Sequence, residues 1–381
     1  MYKVLFLTQW YPKPSSPISG IFIREHARAV SQFHDVTVLS IEGLHTQSRP
    51  PIKIERYEDD GIRTFRLSYS KPLIPKTSWF RRLSGTWVVI QEMEKAGLRP
   101  DIIQANIYST ADLAVILSSL LHRPAVLSEN ASTYPRNLFT RSQRLLVPYF
   151  MNRLRMIMPV SENLAGHIQR YGIKRPFRIV PNTVDITKFN PVISKQSKLD
   201  GIYQILFVGG LVKIKGISFL IKALSKLQYK NDNFRLIIVG DGPERYNLET
   251  LTDQLNLTSK VVFLGLKNKT EVADLMKQAD FLVLPSLWDN QPVVLLEAMA
   301  SGLPVIASSI GGIPEIVKPE CGLLVQPENV EDIAIKIDYM LSHIGNYSSL
   351  KISQYAQDKF SYHAVGQLFS DIYKKVIEEY R

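Results

Sequence analysis

Short runs of consecutive apolar residues recur along the chain, separated by segments in which apolar positions repeat every three to four residues. In the first half the runs predict strands at Lys3–Leu7, Val36–Ser40, Gly61–Leu67, Asp101–Gln104, Ala125–Ser128, Met156–Val160 and Phe177–Val180. Between them the helical period predicts Ile21–Phe33, Thr86–Ala96, Ala111–Leu121 and Glu162–Tyr171. The second half predicts strands at Gln204–Val208, Phe234–Val239, Val261–Leu264, Phe281–Leu284 and Val305–Ala307. Its helices fall at Ile217–Leu227, Glu244–Leu255, Thr270–Lys277, Val293–Ala300 and Val330–Leu341. Strands that are apolar throughout, rather than alternating, belong to parallel sheets covered on both faces. Two successive arrays of this kind predict an α/β protein of two doubly wound, Rossmann-like domains. Periodicity lapses over 191–203, where a linker is expected, giving domains at 1–195 and 200–358. The last segment, from Phe360, reads as an amphipathic helix with Phe360, Val365, Leu368, Phe369 and Ile372 on its apolar stripe.

Length and composition agree with that division. The chain has 381 residues, 45% of them hydrophobic and 21% charged, which suits two globular cores. Its apolar stretches are too short to span a bilayer, and the opening YKVLFLTQWYP reads as a first core strand rather than a signal peptide. The single cysteine, Cys321, sits in an apolar setting and reads as packing; no internal disulfide can form. The net charge of +11 is uneven: residues 1–199 carry 28 Lys and Arg against 14 Asp and Glu, and residues 200–381 carry 18 against 21. A basic first half implies an anionic partner there.

Three turns carry candidate chemistry. In FVGGLVKIKG a strand ends in Gly209 and Gly210, and a loop with Lys215 leads to a helix. Free amides at a helix start favour an anion, so a phosphate site and a plain glycine turn with a solvated lysine both fit. VGDGPER is a second turn, with Gly240 and Gly242, and Asp241 and Glu244 suit the turn itself. The third and richest stretch is LPSLWDNQPVVLLEAMASGLPVIASSIGGIPEIV, residues 284–317. Asp289 and Asn290 lie in its loop, and Pro292 suits the first helical position. The Val293 and Val294 amides lack intrahelical acceptors and can donate to a phosphate. Glu297 lies amid apolar helical neighbours, where a carboxylate needs hydrogen bonds. Vicinal ribose hydroxyls would supply them, and capping of a neighbouring loop is the alternative.

These turns, with FLG at 263–265, PVSENL at 159–164, PNTVDITKFNP at 181–191 and SGIFIREHARAV at 19–30, resemble the retaining glycosyltransferases of family four, over nearly the whole chain. The resemblance implies a GT-B fold: two Rossmann-like domains, an interdomain cleft, and a C-terminal helix, about 361–381, returning to the N-terminal domain. It implies that Glu297 binds the donor ribose and that Asp289, at the first position of the E(x7)E pattern, faces the donor sugar. Lys215 would bind the donor diphosphate, with Gly20, Gly209, Gly210 and Gly240 giving it backbone access. Gly265 and Leu266 would line the base, Asn290, Val293 and Val294 would complete the donor site, and Glu129 and Asn130 would sit on the acceptor side. The chain departs from the family at Asp289 for Glu, Pro292 for a common Gly, Gly210 for an Arg, and Asn130 for a His. Lys213 is a candidate to replace the missing Arg, as a point charge rather than a planar fork.

The implied reaction moves a sugar from a UDP- or GDP-linked donor to a hydroxyl of a glycan or lipid-diphosphate-linked acceptor, with retention, in cell-surface polysaccharide synthesis. The leaving phosphate would take the acceptor proton, with basic groups in place of a metal and no cofactor. Residues 136–155 carry five Arg and no acid, with Leu, Phe and Tyr between them. They fit either an anionic membrane surface or a solvated helix face; Arg81 and Arg82, beside Trp79, Phe80 and Trp87, are a second candidate. A cytoplasmic protein, peripheral on the inner membrane face, is expected. Two other readings compete: a nucleotide-sugar epimerase on the same architecture, and a nucleic-acid-binding protein. For the latter the chain offers basic residues among aromatics but no helix-turn-helix, RRM-like or finger pattern, so nucleic acid is not expected.

Overall fold

A computed structural model describes the chain except residues 17–18, 45–51, 71–74, 193–200 and 381. Most of the expected linker lies outside the described residues. The chain packs as two compact units, one of residues 1–183 with 362–381, the other of residues 184–361.

Among the described residues the first unit holds seven strands: β1 Lys3–Thr8, β2 Asp35–Leu44, β3 Ile52–Asp59, β4 Ile62–Ser70, β5 Ile102–Asn106, β6 Ala125–Glu129 and β7 Met156–Pro159. Their order is β3-β4-β2-β1-β5-β6-β7, parallel apart from the β3–β4 hairpin. Leu5, Leu7, Leu39, Ile103, Leu127 and Ile157 face helices Pro75–Lys95, Ala111–Leu121, Arg141–Met151 and Glu162–Gln169. Val4, Phe6, Val36, Val38, Ile102 and Val126 face helices Ile21–Ser31 and Tyr362–Tyr380. Burial on both sides is why these strands show no alternation.

The hairpin was not expected as a strand pair. Its turn is Asp60–Gly61, both in the left-handed region (φ 49° and 80°), with Asp59 opposite Ile62. That is the backbone a two-residue hairpin needs, and Asp-Gly supplies it. Two other expectations change. Phe177–Val180 is not a strand: it runs beside β7 through one bridge, Phe177 to Ile157, and the amides of Arg178 and Val180. The final helix does not begin at Phe360, which ends helix Ser349–Phe360 and is buried in the second unit's core. The helix ends at Ser361, whose backbone is extended (φ −62°, ψ 158°), and helix Tyr362–Tyr380 joins the first unit. Its stripe is Val365, Phe369, Ile372, Tyr373 and Val376, each worth about 1.5–3 kcal/mol of burial, whereas Leu368 is exposed. Gly366 permits close packing, because a Cβ there would lie 2.2 Å from the Ala29 carbonyl oxygen. The Tyr373 hydroxyl donates to Gln104 and the Tyr362 hydroxyl to Glu25.

The second unit holds β8 Tyr203–Val208, β9 Phe234–Val239, β10 Val261–Gly265, β11 Phe281–Leu284, β12 Val305–Ser308 and β13 Gly322–Val325, all parallel, in the order β10-β9-β8-β11-β12-β13. From β8 the chain proceeds outward through β9 and β10; from β11 it proceeds the other way. The sheet therefore reverses between β8 and β11, and the crevice at their carboxyl ends is the expected ligand position of such a sheet. Cys321 lies in this unit's core, and burial pushes its thiol up to about 11, which fits packing.

Candidate active site

The loops leaving β8, β9, β11 and β12 meet at that crevice, and glycines let their backbones touch. At Gly240 (φ 134°) a Cβ would lie 1.9 Å from the Gly209 carbonyl oxygen. At Gly216 (φ 65°) it would lie 2.1 Å from the Pro285 carbonyl oxygen, and at Gly311 (φ 57°) 1.9 Å from that of Asp289. Any other residue would combine a strained backbone with a clash. Backbone bonds fix the same loops: the Leu287 amide donates to the Ile214 carbonyl (2.8 Å), the Leu211 amide to Asp241 (3.0 Å) and the Gly240 amide to Gly265 (2.8 Å). Gly210 differs, since a Cβ there meets nothing within 4 Å and its φ is not in the left-handed region. The space a larger residue would fill is open.

On this frame Lys215 and Asp289 come together across the switch point. The Lys215 ammonium donates to Asp289 Oδ2 at 2.6 Å, with side-chain exposures of 23% and 17%. Lys213, by contrast, is exposed. Helix Val293–Ala300 has the expected bounds, but Pro292 is not its first residue: it precedes the helix (φ −71°, ψ 123°) and gives no side-chain cap. The Val293 and Val294 amides therefore open the helix without a capping side chain, and the positive end of its dipole faces the same loop. Asn290 is buried in that loop.

Glu297 is buried one turn further on, and the Lys269 ammonium lies 3.6 Å from its Oε1. Sequence reasoning missed Lys269. It is the first residue of helix Lys269–Gln278, which follows the Gly265–Leu266 turn and is fixed by an Asn268–Glu271 capping box. The capping box was legible in the sequence; the pairing with Glu297 was not. Gly265 (φ 70°) ends β10, and Leu266 is 71% exposed.

The remaining expected residues lie in the first unit. Gly20 (φ 69°) precedes helix Ile21–Ser31, and a Cβ would lie 2.2 Å from the Trp10 carbonyl oxygen, so glycine is required. Glu129 is fully buried. It accepts from the amides of Tyr108 (2.8 Å), Asn130 (2.9 Å) and Ala131 (2.8 Å) and from the Tyr134 hydroxyl (3.1 Å). Burial pushes its carboxyl up to about 7, against the pull of those donors toward the charged form. In this geometry Glu129 ties the ends of β5 and β6 together. Asn130 donates to Asn182 Oδ1 at 3.2 Å. The structure thus groups Lys215, Asp289, Asn290, Val293 and Val294, joins Glu297 to Lys269, and gives Glu129 a bracing position.

A family model described as Glycosyltransferase Family 4 matches residues 19–188, and one described as Glycosyl transferases group 1 matches residues 190–359. The chain belongs to glycosyltransferase family four. An uncharacterised glycosyltransferase of Methanocaldococcus jannaschii is 36% identical over 213 residues, 53% of this chain and 54% of its own length, so the match spans about half of that relative. A Bacillus subtilis protein, provisionally named a teichuronic acid biosynthesis glycosyltransferase, is 24% identical over 359 residues, 87% of each chain. The structure of Anabaena HepE with UDP and glucose superposes with a TM-score of 0.75 at 20% identity, covering 98% of this chain and 100% of that one. The fold is GT-B, two Rossmann-like domains. These matches give the epimerase reading no support.

Proposed function

We propose that this glycosyltransferase moves a sugar from a nucleoside-diphosphate donor to a hydroxyl of a glycan or lipid-linked glycan, with retention at the anomeric carbon. The observation that carries it is the pairing of Lys215 with Asp289 at the β8–β11 switch point, beside an uncapped helix start. Lys215 and the Val293 and Val294 amides are the donors for charge that develops on the leaving diphosphate, and preorganised donors act most strongly on such charge. They supply what a metal would otherwise supply, and the leaving phosphate takes the acceptor proton. Glu297 accepts the ribose hydroxyls and Asp289 the hydroxyls of the transferred sugar. Gly265 and Leu266 border the base. For Gly20, Glu129 and Asn130 the roles rest on family resemblance alone.

Polysaccharide synthesis is the process proposed, on the teichuronic acid assignment of the Bacillus relative. UDP is the first nucleotide to test, since HepE was crystallised with it. A thermal-shift screen should show that UDP- or GDP-linked sugars raise the melting temperature and ADP-linked sugars do not. No shift with any nucleotide sugar, and no transfer to glycan acceptors, would reject the proposal.

We place the protein in the cytoplasm, at an anionic membrane surface holding the acceptor. Among the described residues no helix is long and apolar enough to cross a membrane. Helix Arg141–Met151 buries only Val147 and Met151. Leu145 is 77% exposed, and Leu138, Leu146 and Tyr149 are exposed with it, among Arg136, Arg141, Arg144 and Arg153. Apolar side chains ringed by Arg suit the headgroup boundary of a charged bilayer. The protein should sediment with vesicles containing phosphatidylglycerol, less so in high salt and after Arg141→Ala with Arg144→Ala. Partitioning that ignores both changes would argue against this surface.

A further inference from the structure

Lys215 and Asp289 hold one another in a partly buried ion pair at the β8–β11 switch point. Its two backbones are locked: Gly216 abuts Pro285, Gly311 abuts Asp289, and Leu287 is hydrogen-bonded to Ile214. The side chains are the part free to rearrange. Both are partly buried, so neither charge is fully solvated when the other leaves. A diphosphate that takes Lys215 must draw it from Asp289 and sit near a carboxylate of its own sign.

Resting on the donor site proposed above, we infer that the Lys215–Asp289 pair discriminates the intact nucleotide sugar from the free nucleoside diphosphate. With the intact donor, sugar hydroxyls replace the ammonium at Asp289 as the diphosphate takes Lys215, and both charges stay satisfied. With the free diphosphate, Lys215 leaves and Asp289 is stranded beside an anion. The product nucleotide is therefore held less tightly than the substrate, which favours its release after transfer. The Asp at this position, one methylene shorter than the family's Glu, is the residue that makes this contact at 2.6 Å. Asp289 is in this respect a specificity-determining residue, acting through the availability of Lys215.

The test is isothermal titration of the wild type, Asp289→Asn and Asp289→Glu with UDP, UDP-glucose, GDP and GDP-mannose. For the nucleotide that the wild type binds, Asp289→Asn should bind the free diphosphate about tenfold more tightly, because a like charge has been removed. Its affinity for the intact donor should hold or fall, because a neutral amide accepts sugar hydroxyls more weakly than a carboxylate. Asp289→Glu, which keeps the charge, should keep the wild-type preference. An Asn variant with the wild-type ratio of diphosphate to donor affinity would overturn the inference while leaving the donor site standing. A Glu variant that loses the preference as Asn does would overturn charge as its cause. A wild type that binds none of the four ligands overturns the donor site itself.

Discussion

Lys215→Ala should lower turnover of the preferred nucleotide sugar by about a hundredfold to a thousandfold, the range measured for loss of one preorganised donor to transition-state charge. The expectation rests on position: Lys215 ends the short loop from β8 and reaches across to the β11 loop, beside the uncapped start of helix Val293–Ala300. Negative charge grows on the leaving diphosphate as the sugar bond breaks, so the loss should fall mainly on kcat. The substitution also leaves Asp289, 17% exposed, without its ammonium, and a modest loss of thermal stability should accompany the kinetic effect. Initial rates over a range of donor concentrations, with a melting curve for each protein, separate the two. Near-normal turnover in a folded variant would remove Lys215 from the reaction.

Glu297→Ala is the second large effect. Two ribose hydroxyls donating to one buried carboxylate contribute about 1.5–3 kcal/mol each, so kcat/KM should fall by about a hundredfold or more. Because ribose is bound in ground and transition states alike, the loss should appear chiefly in KM, unlike that of Lys215→Ala. Lys269, 3.6 Å away, loses this contact in the same variant. Lys269→Ala should therefore be compared beside it, to separate loss of the carboxylate from loss of the pair. A Glu297→Ala enzyme with unchanged donor KM would show that the carboxylate braces Lys269 and does not hold ribose.

Several features of the fold are legible in the sequence because they are local. Apolar runs such as Phe281–Leu284 and Val305–Ser308 are fully buried parallel strands, and their pattern carries that burial directly. What escaped was decided elsewhere in the chain. Strand β3 is largely exposed and polar, and only pairing with β4 makes it a strand. Phe177–Val180 is apolar enough for a strand but bridges β7 at a single position. Phe360 has the spacing of the last helix's stripe, yet the bend at Ser361 sends it into the other core. Helix Pro75–Lys95 begins well before the expected Thr86, because its first turns lack the clean apolar period.

The candidate site divides the same way. The sequence by itself determined two α/β domains, which turns are glycine-rich, that Lys215 and Asp289 lie in loops after strands, and that Glu297 lies in the helix that follows. Covalent spacing is sufficient for each of those statements. Only the tertiary structure decided that Lys215 and Asp289 form an ion pair, that Lys269 reaches Glu297, and that Glu129 is enclosed by four donors. The physical reason is that charge pairing and burial depend on distances through space. The reversal of strand order between β8 and β11 brings together residues 74 positions apart, and nothing in their local sequence carries that distance.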